Sequence, residues 1–181
     1  MAWTSGTRRF KPPKPIEPWK GIREAMDYGP ICPQVSGFGE MALTRLTAES
    51  RRLPQSEDCL VLNVWTPGLD GKRPVMFWMH GGGFYMGSGS QPTYDGIALA
   101  ERGDVVIVTV NHRLNVFGYL HLEDLGGKEF EGSGMAGMLD LELALKWVRD
   151  NIAAFGGNPK NVMILSWASS SARFQQSTGS L

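Results

Sequence analysis

The residues with the clearest chemical capability are "HGGGF" at positions 80–84. Three successive glycines expose bare backbone N–H groups and permit torsions that side chains forbid. Such a nest suits an anion, either a phosphate or the oxyanion that develops during acyl transfer. The phosphate reading lacks its other parts, because no GK[ST] follows the glycines and no GxGxxG opens a long helix. The acyl-transfer reading assigns the N–H groups to a tetrahedral intermediate, where losing one donor typically costs about 3 kcal/mol. A simple tight turn is the structural alternative. Metal chemistry has no comparable pattern: His80, His112 and His121, with Cys32 and Cys59, form neither HxxxH nor CxxC spacing.

A loop of this kind needs a rigid support, and the flanking sequence predicts one. "PVMFWMH" (74–80) is a short, almost wholly apolar run, as expected of a strand buried on both faces. Further strands are expected at 59–65, 104–113 and 161–165. A short helix is expected over 94–102, with Gly103 placed to end it. A longer helix is expected over about 137–155, where Met138, Leu141, Leu145, Val148, Ile152 and Phe155 mark one face. Strands alternating with helices indicate an α/β fold with a largely parallel centre. The proline-rich opening (1–34) carries Trp3, Phe10, Trp19 and Tyr28, which predicts a coil packed on a core rather than a solvated tether. Residues 36–57 read as a long surface loop.

Composition narrows the partners. Lys+Arg and Asp+Glu both number 18, so no basic field is available for nucleic acid or an anionic membrane. The longest apolar runs, such as 105–110, are far too short to span a bilayer. "MAWTSGTRRF" has no apolar stretch and is not read as a signal peptide; the compartment is left open. The two cysteines are either free thiols or one bridge, and the redox environment decides between them.

Several segments together resemble one family in its own order: "RFKPPKP" (9–15), "GPICPQ" (29–34), "SEDCLVLNVWTP" (56–67), "PVMFWMHGGGFYMGSG" (74–89), "VVIVTVNHRLNVFGYL" (105–120) and "GMLDLELALKWVRDNIAAFGGNPKNVMI" (137–164). The chain is similar to the type-B carboxylesterases, serine esterases that include the cholinesterases, on the α/β-hydrolase fold. The resemblance implies a partial α/β-hydrolase fold, truncated at both ends, over residues 1–165, followed by a non-matching tail, 166–181. It implies Gly82 and Gly83 as oxyanion donors. It matches Cys32 and Cys59 to the family's first disulfide loop. Arg9 with Glu57, and Arg113 with Asp140, become buried structural ion pairs. The substrate class is a small carboxylic ester, and no cofactor is implied. Asn115 stands where the family has glycine, and Leu141 where glutamine is common.

The resemblance stops at Leu165. A serine hydrolase of this fold next forms a G-x-S-x-G elbow. Counted from Asn161 and Val162, Ala168 occupies the serine position, with Ser166 and Ser170 at the glycine positions. Ser169 falls one residue late, which would set Trp167 where glycine is needed. The family order is serine, acid, histidine, yet no His, Asp or Glu follows Ser169. No catalytic nucleophile is therefore assigned. The expectation is an esterase fragment, interrupted by truncation or a reading-frame slip and inactive alone. The alternative is divergence into a non-catalytic, esterase-like binding module of the adhesion-protein kind.

Overall fold

The computed structural model describes residues 4–34 and 53–166. Its centre is a four-stranded sheet: β1 (Leu62–Trp65), β2 (Arg73–Met79), β3 (Val106–Val110) and β4 (Gly157–Ser166). The spatial order is β1-β3-β2-β4. β1 runs antiparallel to β3, whereas β2 is parallel to both β3 and β4. Two helices serve as crossovers, α1 (Ile97–Gly103) between β2 and β3, and α4 (Ala136–Asn151) between β3 and β4; short helices α2 (Asn115–Tyr119) and α3 (Glu123–Gly126) precede α4.

The apolar residues of β2 and β3 divide between the two faces by strand alternation. Val75 and Phe77, with Val106, Val108 and Val110, are buried in one core together with Leu141, Ala144, Val148 and Ile152. Leu145 and Phe155 are partly buried against that core. Met138 is 41% exposed, so it does not belong to the buried stripe. The stripe instead includes Gly137, Asp140 and Ala144, small and polar positions that an apolar-spacing count passes over. The regular helix also ends at Asn151, with Ile152–Phe155 wound as a 3-10 turn. On the opposite sheet face, Met76, Trp78, Ile107, Thr109 and Leu165 meet Tyr94, Gly96 and Leu99 around a cavity of about 160 Å³.

Two expectations need correction. Gly103 lies inside α1, and the left-handed residue that ends the helix is Asp104 (φ 47°), whose carboxylate pairs with Arg73. A short polar side chain tolerates that conformation better than most. The opening coil is also less packed than its aromatics predicted. Phe10 stacks on Phe117, but Trp19 is 50% exposed beneath Arg23, and Tyr28 only tilts against Trp65 at the surface. Trp3 and most of the expected 36–57 loop lie outside the described residues.

Candidate active site

The chain steps from β2 to β3 in one direction, then back across β2 to reach β4. Reversals of this kind open a crevice at the carboxyl ends of parallel strands. Met79 and Ser166 are register partners at those ends, so the glycine loop leaves β2 directly beside the last described residue of β4.

Within the loop, the carbonyls are engaged. The Gly81 carbonyl accepts from His80 Nδ1 at 2.8 Å. The Gly82 carbonyl accepts from the N–H groups of Tyr85 and Met86, both at 3.2 Å, and the Phe84 carbonyl accepts from Asn115 at 2.7 Å. In a trans peptide the carbonyl and the following N–H point in opposite directions, and no described peptide is cis. Tying down the Gly81 and Gly82 carbonyls therefore turns the N–H groups of Gly82 and Gly83 away from those contacts. Neither donates to a protein acceptor among the described residues. Glycine is required at 82: φ is +126°, and a Cβ would fall 1.9 Å from the Met86 carbonyl oxygen.

The return of the loop is clamped by side chains. Gln34 accepts from the Gly87 N–H (2.8 Å) and donates to the Gly87 carbonyl (3.0 Å). Asn111 accepts from the Gly89 N–H at 2.7 Å and donates to the Pro30 carbonyl, while Thr109 donates to the Gly89 carbonyl. Sequence reading missed these residues. The available signals were a buried-strand threonine and an asparagine directly after "VVIVTV", polar groups that must find partners indoors. Asn115 is accounted for by its backbone: φ is +45°, a conformation glycine adopts freely and asparagine tolerates. Its side chain also donates to the Pro33 carbonyl at 2.7 Å, a contact glycine cannot make.

Behind the loop, Arg113 and Asp140 form a buried two-point pair (2.6 and 2.8 Å). Asp140 also accepts from the Arg113 backbone N–H, and Arg113 reaches the Lys11 and Ala136 carbonyls. Burial holds the Asp140 carboxyl above its usual range, opposed by the guanidinium. Arg9 and Glu57 make the same fork, both bonds at 2.6 Å. Their side chains are 47% and 22% exposed, so the expectation of a buried pair is corrected to a surface one. Cys32 and Cys59 are buried and unbridged, in one small cluster with Leu60 and Leu114. The interaction between the two thiols pushes the Cys32 pKa down and, with burial, that of Cys59 up. Ser169 and the rest of the tail lie outside the described residues.

A sequence profile described as the carboxylesterase family matches residues 3–174. The chain belongs to the carboxylesterase family. Para-nitrobenzyl esterase of Bacillus subtilis (strain 168) is 48% identical over 160 residues, covering 88% of this chain and 31% of that protein. Acetylcholinesterase of Electrophorus electricus is 45% identical over 165 residues, covering 88% and 25%. A crystal structure of a Geobacillus stearothermophilus carboxylesterase at pH 6.2 superposes with TM-score 0.80 at 49% identity, over 91% of this chain and 32% of that one. The four-stranded sheet is thus part of an α/β-hydrolase fold. This carboxylesterase chain spans between a quarter and a third of the length of those relatives. No described helix is long and apolar enough to cross a membrane, and no described cluster of three or more His, Cys, Asp or Glu could hold a metal ion.

Burial drives His80 down to about 3 and His112 to about 4, far from the near-neutral value a general base needs. His121 is exposed and pairs with Asp124 three residues along.

Proposed function

We propose that this chain supplies the oxyanion-stabilising part of a serine-type carboxylic ester hydrolase, with Gly82 and Gly83 as donors. The observation that carries the reading is that the Gly82 and Gly83 N–H groups, in the loop that leaves β2 beside the end of β4, donate to no protein acceptor among the described residues. When a nucleophile attacks an ester carbonyl, the oxygen gains charge, and fixed donors stabilise that charge without reorganising. The nucleophile, acid and histidine are assigned to sequence that would follow Leu165 in an intact esterase frame. The substrate class is a small carboxylic ester.

A serine hydroxyl is a weak nucleophile until a neighbouring base takes its proton. The 181-residue chain is therefore expected to show no ester hydrolysis above background with a chromogenic short-chain ester. The encoding DNA, read in all frames beyond Leu165, is expected to contain an elbow serine, an acid and a histidine. Restoring that frame should restore turnover, and Gly82→Ala in the restored protein should reduce kcat by about 100-fold or more. Turnover by the present chain that Ser169→Ala abolishes would refute the assignment of the nucleophile. A restored frame that binds esters without cleaving them would favour the binding-module alternative.

A further inference from the structure

His80 stands at the junction of β2 and the glycine loop, and its ring is stacked on that of His112. The ring centroids are 4.7 Å apart and the planes 14° from parallel. Both side chains are buried. His80 Nδ1 contacts the Gly81 carbonyl at 2.8 Å, and His112 Nδ1 contacts the Arg113 carbonyl at 3.0 Å. A carbonyl only accepts, so each contact fixes a proton on Nδ1. His80 Nε2 is buried without a partner. It can be left bare as a lone pair, but a proton there would have no acceptor.

The surrounding packing is built around this contact. A Cβ at Gly87 would fall 2.5 Å from both the Gly81 oxygen and His80 Nδ1. Gln34 holds Gly87 from the other side through both of its backbone groups. The consequence reaches the site through peptide geometry. Because the Gly81 carbonyl is drawn to His80, the N–H of Gly82 on the same trans peptide must face away from it.

We propose that His80 is a positioning residue for the oxyanion loop: its Nδ1–H orients the Gly81–Gly82 peptide so that the Gly82 N–H is presented to the site, and His112 fixes the plane of the His80 ring. This rests on the reading of Gly82 as an oxyanion donor and adds what holds that donor in place. The device works with both rings neutral. A second proton on His80 would add a buried donor without an acceptor and set positive charge against His112. Among the described residues, no carboxylate acts on either ring to offset that charge. Of the other polar groups nearby, the Arg113 backbone carbonyl accepts from His112 Nδ1, and the Tyr94 hydroxyl adjoins the Gly81 backbone. The Arg113 guanidinium is committed to Asp140.

The test is nuclear magnetic resonance on the isotope-labelled 181-residue chain. In the wild type, His80 should be the Nδ1–H tautomer and stay so from about pH 8 to about pH 5, where a free imidazole titrates. His80→Ala should shift the Gly82 and Gly83 amide resonances and speed their exchange with solvent. His80→Asn, whose side-chain amide nitrogen sits in the Nδ1 position, should return both. His80→Phe keeps the ring and the stack but has no donor, and it should behave as His80→Ala does. An Nε2–H tautomer, an ordinary titration near neutrality, or rescue by Phe and not by Asn would each overturn the proposal. If the variants do not fold, the wild-type tautomer decides alone. None of these readouts involves ester turnover, so failure of the hydrolase reading would leave them unchanged.

Discussion

Two arginine–carboxylate pairs in this chain have the same fork geometry and opposite surroundings. Arg113–Asp140 and Arg9–Glu57 both close to 2.6 Å. The first has side-chain exposures of 2% and 0%, the second 47% and 22%. Each sits in a family motif, and the sequence treats them alike. The difference is made by a third element. Arg113 lies just after β3 and faces the N-terminal turn of α4, while the opening coil closes over it through the Lys11 carbonyl. Nothing described covers Arg9 in that way. Membership of an apolar motif thus locates an ion pair along the chain, but burial depends on what packs across it from elsewhere.

The comparison predicts a wide gap in stability. Asp140→Ala leaves a buried guanidinium uncompensated and should cost about 3–5 kcal/mol in urea unfolding. Replacing both partners with apolar residues of similar volume, Arg113→Met with Asp140→Leu, should recover much of that loss. A single substitution that costs less than about 1 kcal/mol would remove the distinction between the two pairs.

The cysteine pair tests the same interior from its other side. Cys32 accepts from the Leu114 N–H at 3.2 Å, so the cluster adjoins the Arg113 site. We propose that the two thiols, members of one buried cluster, form the family's disulfide under oxidising conditions. Bridge formation should add about 2–4 kcal/mol, chiefly by restricting the unfolded chain. Thiol titration of the oxidised, denatured protein should find no free group before reduction and two after it. Two titratable thiols before reduction would show that proximity does not become a bond.

The histidine stack gives the interior a pH dependence. Burial lowers His80 to about 3 and His112 to about 4, from 6.5. Between those values the unfolded chain binds protons that the folded chain refuses. Stability contributed by the neutral pair is therefore complete above about pH 6.5 and is lost as pH falls toward the folded values. Each histidine adds a slope of at most about 1.4 kcal/mol per pH unit in that window. Urea midpoints measured from pH 8 down to pH 4 should be flat and then fall, and His80→Asn should flatten part of the fall. A profile that weakens above pH 7 instead would point to a group other than these two.

Much of the scaffold was legible because apolar periodicity reports burial directly. β2 and β3 were visible as uninterrupted apolar runs, and the glycine loop announced itself by composition. Other features were not legible because they depend on contacts between distant segments. Gln34 meets Gly87 across 53 positions, and Asn111 meets Pro30 across 81. The stack of His80 on His112 forms where β2 and β3, parallel neighbours, end side by side at Met79 and Val110. Met138 fitted the helical spacing yet faces water, since spacing defines a stripe without fixing its centre. The opening coil was misjudged in the same way, because Trp19 and Tyr28 report a tendency to bury and not a surface to bury against.

The smallest expected effect belongs to Arg9 and Glu57. Water already solvates much of the arginine, and bulk dielectric weakens the attraction at any given distance. Holding two long side chains in one geometry also costs rotamer freedom. Glu57→Gln keeps the side chain's shape and removes the charge. It should leave the urea midpoint unchanged within error at moderate salt, with any shift confined to low ionic strength. The Glu57 backbone carbonyl also accepts from Thr4, an attachment of the opening coil that does not depend on charge. Thr4→Val should therefore loosen that coil more than Glu57→Gln does, read as faster amide exchange at Arg8, Arg9 and Lys11, whose N–H groups close the first turn. The opposite order would mean that the exposed fork carries structural weight, and that exposure is the wrong axis along which to separate the two pairs.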